Sequence, residues 1–254
     1  MVTVVIPARM GSSRYPGKPM INIGGIPMIE YVRRRALLAT GVSSVVVATC
    51  DEVIKRAIEG FGGDAIMTSS DHERCTDRVE EAMRFIDDEI VVMVQGDEPL
   101  LDPLSINQVS EPLILDKEIS VTNLLSPLSG NLDLENPNIV KAVCNQQNNI
   151  IYFSRQNIPY MRSQIDVPVF RQTGIMAFRK SFLSKYSQLP ETPLEMAESI
   201  DMLRVLENGI PIRGVVVDYQ TYGVDIPSDL ALIERLLKEN PHQDYLNSQL
   251  NINI

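Results

Sequence analysis

Apolar and polar positions follow two rhythms along this chain. VTVVIPA at 2–8 is β-branched and almost wholly apolar, which predicts a buried strand too short to be a helix. A glycine-bearing loop follows. Met28, Tyr31, Val32 and Ala36 then recur at helical spacing behind Pro27, predicting a helix. SSVVVATC at 43–50 predicts a second buried strand, DEVIKRAIEGF at 51–61 a helix with Asp51 as its N-cap, and GDAIMTS at 63–69 a third strand. TDRVEEAMRFI at 76–86 reads as a helix, and EIVVMVQGDEP at 89–99 as a strand that ends in acids. DPLSINQVSEPLIL at 102–115 opens with Asp-Pro, a helix start. This succession of strands and helices is the pattern of a parallel sheet covered by helices on both faces.

After about residue 120 the rhythm changes. ISVTNLLSP, NIVKAVCN, NIIYFSRQ and QTGIMAFR are short β-rich runs between Pro, Asn and Gly, predicting a mixed or antiparallel section added to the first sheet. TPLEMAESIDMLRVLENG at 192–209 predicts one helix stopped by Gly209. IPIRGVVVDY at 210–219 predicts a strand and PSDLALIERLLKEN at 227–240 an amphipathic helix. The Asn-rich tail from Pro241 is expected either to be poorly ordered or to serve a contact. The organisation expected is one domain over 1–240, with a β-rich lobe within about 120–190, and a polar tail at 241–254.

Composition narrows the classes. The 254 residues are 44% hydrophobic and 22% charged, ordinary for a soluble globular chain. There is no apolar run of membrane-spanning length and no basic-then-apolar leader, so neither membrane insertion nor secretion is expected. A net charge of -10 argues against nucleic acid as a partner. Cys50, Cys75 and Cys144 are odd in number and outside any CxxC, which points to reduced thiols and a cytoplasmic location. Cys75 stands beside His72 and Arg74, but no third group is evident to orient a nucleophile, so it reads as a small polar loop residue.

Against the acidic whole, IPARMGSSRYPGKPM at 6–20 carries Arg9, Arg14 and Lys18 and no acid. It lacks the GxGxxG of dinucleotide sites. It also fails as a P-loop: five residues separate Gly11 from Gly17, and Pro19 stands where a magnesium-binding hydroxyl belongs. The loop is either a solvated basic turn or a polyphosphate holder, and the stiffness from Pro7, Pro16 and Pro19 suits a site. Asp97 and Glu98 lie in QGDEP at the carboxyl end of the strand VVMV, and Asp225 lies in GVDIPSD. Alone each acid reads as a cap or turn residue, as Asp229 does before LALIERLL; beside a cation-rich loop they are the parts of a magnesium–nucleotide site.

IPARMGSSRYPGKP, FGGDAIMTSSDHERCTDR, VQGDEPL, NPNIVKAV, YFSRQNIPY and GVDIPSDL run in the order found in the CMP-Kdo synthetases, the 3-deoxy-manno-octulosonate (Kdo) cytidylyltransferases, which the chain resembles over nearly all of 2–237. The resemblance implies a Rossmann-like α/β nucleotidyltransferase with a mostly parallel central sheet and a smaller β-rich lobe for dimerisation and sugar binding. It implies CMP transfer from CTP to an acidic sugar, with pyrophosphate released. Arg9, Arg14 and Lys18 would hold the triphosphate, and Asp97 and Asp225 would carry Mg²⁺. Pro7, Ala8, Ser13, Thr76, Arg78 and Gln95 match nucleotide-pocket positions. For Thr76 and Arg78 the residues alone also allow an N-cap and a solvated arginine. Arg155, Tyr160, Gln172, Glu198 and Asp201 fall on the sugar side, and a homodimer is expected.

The chain departs from the family pattern on that side. RQTGIMAFR replaces RHxGIYxYR, putting Gln172 in the place of a histidine; IDMLR replaces LEQLR, bringing Asp201 and Met202; RCTDR replaces SGTDR. Three readings follow: a Kdo enzyme, the same chemistry on an amino-modified Kdo, another sugar acid or a phosphonate or phosphate ester, and a non-catalytic nucleotide-binding protein.

Overall fold

The apolar run at 2–8 forms β1 (Val2–Ala8), seven residues buried without exception. After it come a 3₁₀ turn at Lys18–Met20, the short pair β2 (Asn22–Ile23) and β3 (Ile26–Pro27), α1 (Met28–Leu37), β4 (Val42–Thr49), α2 (Glu52–Gly60), β5 (Asp64–Met67), α3 (Cys75–Met83), β6 (Ile90–Val94) and α4 (Pro103–Leu115). The computed structural model describes residues 1–11, 15–128, 130–163, 165 and 167–250. It divides into one unit of Met1–Asn107 with Thr221–Ile254 and a second of Gln108–Gln220.

In the first unit the strands lie in the order β6-β1-β4-β5, each pair parallel. The continuous Val/Ile runs of β1 and β6 are what strands buried on both faces require, and α1, α2 and α3 pack against the sheet. At the N-terminal edge Asp88, just before β6, accepts hydrogen bonds from the Thr3 and Ser43 hydroxyls of β1 and β4. Burial acts to raise the Asp88 pKa. The Ser43 and Thr3 bonds and the terminal ammonium outweigh it and hold the carboxyl below its usual range.

The second unit contains β7 (Val121–Pro127), α5 (Asn131–Glu135), β8 (Lys141–Cys144), β9 (Ile150–Ser154), β10 (Phe170–Arg179), α6 (Lys180–Tyr186), α7 (Pro193–Glu198), α8 (Met202–Glu207) and β11 (Arg213–Val216). Here β11 and β7 pair in parallel, while β7–β10, β10–β8 and β8–β9 are antiparallel. Lys141 is fully buried, and its ammonium donates to the carbonyls of Asn136, Ile139 and Arg155 at 2.7–2.9 Å. Burial, then the Arg155 charge, pushes its pKa down.

The helix expected over 192–209 is two helices. Ser199, at φ 53°, ends α7 in the left-handed region. The break lets α8 fold back, so that buried Arg204 grips Glu195 with two bonds of 2.6 and 2.7 Å. The carbonyls of Glu198 and Ser199 at the break accept from the Arg155 guanidinium at 2.7 and 3.3 Å. Tertiary pairing thus replaces the helical bonds that a continuous helix would have made.

The first unit resumes with α9 (Pro227–Glu239) and α10 (Pro241–Gln249). The tail read as poorly ordered or in a contact is therefore helical up to Gln249. Asn240 caps it, accepting from the His242 and Gln243 N–H groups, and His242 bonds Asp102 at 2.7 Å. Asn247, nearly buried, accepts from the Tyr31 hydroxyl and from Arg35, which is itself fully buried. Polar residues in the tail thus serve an internal network. Among the described residues no helix is long and apolar enough to cross a membrane.

Candidate active site

Parallel strands deliver their outgoing loops to one sheet edge, so the segments after β1 and β6 meet there. The loop after β1 closes on itself: Gly17 N–H donates to Met10 O and Lys18 N–H to Tyr15 O, each at 3.2 Å. Gly17 has φ 74°, where a Cβ would be strained. Asp51, expected to cap α2, makes no cap bond. Its carboxylate accepts from Met10 N–H at 2.8 Å and tethers the loop to the end of β4.

Asp97 sits in a tight turn after β6, closed by Glu98 N–H to Gln95 O at 3.2 Å. Gly96 is needed by contact: a Cβ there would meet Ile29 Cδ1 at 2.7 Å and the Pro7 carbonyl oxygen at 3.3 Å. Val224 N–H donates to Asp97 O at 2.9 Å and draws the 223–229 segment alongside. Asp229 then accepts from the N–H groups of Asp225 and Ile226 at 2.8 and 2.9 Å, shaping the turn that carries Asp225. The Lys18 ammonium pairs with Asp97 and lies 3.8 Å from an Asp225 oxygen. Three side chains from positions 18, 97 and 225 of the sequence thereby converge.

The loop after β1, the turn after β6 and the start of α3 border a cleft of about 320 Å³, which Asp225 does not line. Of the residues proposed from sequence, Pro7, Ala8, Arg9 and Lys18 line it from the first loop, and Gln95, Asp97 and Arg78 from the others. Thr76 is buried in the first turn of α3 and does not line it. Arg74 occupies the N-cap position, so neither Thr76 as a cap nor Arg78 as a solvated arginine describes this helix. Arg78 is 3% exposed. Its Nη1 donates to the Thr68 hydroxyl and to Ser69 O, while Nη2 is buried with no hydrogen-bond partner among the described residues. An acceptor from a ligand would relieve that cost. Ser13 and Arg14 lie outside the described residues.

His72 also lines the cleft, a residue not singled out for the site. Its Nε2 is 2.5 Å from Glu81, which accepts from Ser69 N–H as well. Burial acts to raise the Glu81 pKa, but the Ser69 bond, His72 and Arg84 together hold it low. The signal was its place in TSSDHERCTDR, four residues before Thr76.

The residues expected on the sugar side all belong to the second unit, and none of them lines this cleft. The Arg155 guanidinium is engaged with carbonyls of Pro137, Glu198 and Ser199, and Glu198 accepts from Ser154 Oγ at 2.6 Å and Arg155 N–H at 2.9 Å. Both brace the fold around Lys141. Asp201 stands at the start of α8, Tyr160 is 90% exposed, and Gln172 donates to Asn123 at 3.0 Å.

The donor set fits a hard divalent cation. Asp97 and Asp225 face one cationic group, and magnesium takes a few carboxylates together with phosphate oxygens and water. Among the described residues no group of three His, Cys, Asp or Glu side chains forms a self-sufficient metal cage, so remaining ligands would come from a bound phosphate chain.

A parallel sheet with a cationic loop and two carboxylates at its C-terminal edge defines a nucleotide-handling α/β protein. The chain belongs to the cytidylyltransferase family, whose model matches residues 3–213. It is 41% identical over 242 residues to an 8-amino-3,8-dideoxy-manno-octulosonate cytidylyltransferase of Shewanella sediminis, covering 93% of this chain and 98% of the relative. It is 39% identical over 249 residues to a 3-deoxy-manno-octulosonate cytidylyltransferase of Trichlorobacter lovleyi, covering 94% and 99%. Among solved structures it matches a CMP:2-keto-3-deoxy-manno-octonic acid synthetase complexed with CTP, with a TM-score of 0.88, 41% identity, and 93% and 98% coverage. A cytidylyltransferase from Leptospira borgpetersenii, at 17% identity, 93% and 86% coverage and TM-score 0.61, shares the fold.

Proposed function

We propose that this enzyme transfers CMP from CTP to the anomeric hydroxyl of an acidic 2-keto octulosonate, 3-deoxy-manno-octulosonate or its 8-amino analogue, and releases pyrophosphate. The convergence of Asp97 and Asp225 on the Lys18 ammonium, beside a cleft that Lys18 and Asp97 line, carries this reading. The hydroxyl oxygen attacks the α-phosphorus in line and the bond to the β-phosphate oxygen breaks, so positioning and charge supply most of the catalysis. Arg9 and Lys18 would hold the triphosphate and neutralise the departing pyrophosphate. The unpartnered Arg78 Nη2 would donate to the nucleotide. Backbone groups at Pro7 and Ala8 would meet the cytosine edge. Asp97 and Asp225 would hold Mg²⁺, which supplies charge neutralisation at the α-phosphate when bound. Arg155 would act by holding the second unit in shape, since its guanidinium already serves three carbonyls.

The test is pyrophosphate release from CTP with each acid. Turnover with either and none with ATP supports the reading; no turnover with any sugar acid overturns it. A homodimer is proposed as well. The β9 strand pairs only with β8 among the described residues, Ile151 is 59% exposed, and Tyr160 and Met161 follow in the same segment at 90% and 49%. A cytoplasmic location is proposed from three thiols, none of which is in a disulfide.

A further inference from the structure

The chain has two histidines, His72 and His242, and His72 stands at the cleft. It lies in the segment between β5 and α3, and its ring is held by a group that does not line the cleft. Nε2 is 2.5 Å from Glu81 Oε2, and the same oxygen accepts from Ser69 N–H at 2.9 Å. Burial acts to raise the Glu81 pKa, but the Ser69 bond, His72 and Arg84 hold it low, so the group is a carboxylate at neutral pH. A carboxylate only accepts, so Nε2 carries a proton and donates. Nδ1 is then the open ring nitrogen, and among the described residues it makes no hydrogen bond. It is an acceptor on the neutral ring and a donor on the cation.

Charge around the cleft decides which form is favoured. Arg9 and Lys18 line it from the loop after β1, Arg74 and Arg78 from the start of α3, against the acids Glu73 and Asp97. Arg84 acts on Glu81. In the empty cleft these cations oppose a further positive charge, and Glu81 alone supports it from its bonded side. A triphosphate reverses that balance, because it neutralises the cations that opposed the imidazolium.

We propose that His72 is a nucleotide-binding residue that takes up a proton from solvent as CTP enters, so that Nδ1–H donates to a phosphate oxygen, with Glu81 as the positioning residue that holds the ring. This rests on the proposed function, which supplies CTP as the ligand. The proton is bound more tightly in the complex than in the free enzyme. This contribution to affinity is therefore full below the free ring's titration and is lost as pH rises through that of the complex.

The experiment follows the two histidine rings by NMR between about pH 5.5 and 8.5, in the whole chain with and without saturating CTP and Mg²⁺. His242→Gln identifies which signal belongs to His72. The His72 titration is expected to move to higher pH on binding, by about tenfold in proton affinity. Calorimetry in buffers of different ionisation heat should count more protons taken up by the natural enzyme than by His72→Gln, the γ-phosphate of CTP contributing equally to both. Glu81→Gln keeps an acceptor oxygen for Ser69 N–H and for the ring but removes the charge, and should show a smaller uptake; an uptake equal to the natural enzyme's overturns the role of Glu81. A His72 titration that CTP leaves in place or moves to lower pH overturns the proposal, as does equal uptake in the natural enzyme and His72→Gln, while the cytidylyltransferase reading stands. No binding of CTP at any pH overturns both.

Discussion

Single residues near the cleft were the most legible part of the chain, because their chemistry is unusual for their surroundings. Arg9 and Lys18 in an acidic protein, and acids at the end of an apolar strand, both announce a ligand. Asp97→Ala is expected to lower kcat for pyrophosphate release by about a thousandfold, a loss of stabilisation of charge developing in the transition state. Circular dichroism and the melting temperature should show that the variant stays folded; unchanged turnover would remove Asp97 from the site. Illegible at this scale were commitments made elsewhere. Arg155 has the right chemistry for a carboxylate, but its partners are backbone carbonyls that come together only in the folded unit. Replacing buried Lys141 with Met should likewise cost roughly 1–3 kcal/mol for each carbonyl left unpartnered, read as a lower urea midpoint.

At the scale of elements, hydrophobic rhythm located strands and helices well where one face or both are apolar, as in β1, β6 and α1. It failed where polar side chains decide. The region 192–209 has helical spacing throughout, yet Ser199 turns left-handed so that Glu195 and Arg204 meet. The tail is polar, yet Asn247 answers a buried arginine and a buried tyrosine. Asn247→Ala should therefore destabilise the first unit by about 1–3 kcal/mol in urea unfolding, because it strands the Arg35 donor. Asp88 predicts a pH effect. Its folded pKa lies below the unfolded value, so its stabilising contribution is complete above the usual aspartate range and is lost as pH falls through the folded value. Asp88→Asn should flatten the acid limb of a melting-temperature profile; an unchanged limb would show that the bonds to Thr3 and Ser43 carry no linkage.

For the whole molecule, binding and assembly report together. CTP with magnesium at about a hundred times its Kd should add close to ~2.7 kcal/mol of stability, seen as a thermal shift. Chelation should remove most of that shift if Asp97 and Asp225 hold the ion, and a shift that survives EDTA would separate nucleotide binding from the metal. Light scattering should give twice the chain mass, and Ile151→Asp on the β9 edge should shift it toward the monomer; a monomer in the unaltered protein would overturn the dimer.

The amino-acid sequence by itself pointed to the parallel α/β class, to the succession from β1 through α4, and to the short segments expected to meet phosphate and metal, since these follow from local periodicity and residue type. The three-dimensional fold decided which of those residues meet. Lys18, Asp97 and Asp225 are joined by a 3₁₀ turn, a glycine whose Cβ would crowd Ile29 and the Pro7 carbonyl, and one backbone bond from Val224 to Asp97. Arg155 and Glu198 are diverted into holding a helix break. The reason is common to all of them: a hydrogen-bonding group declares its type in the sequence, but its partner is fixed only when distant backbone is folded against it.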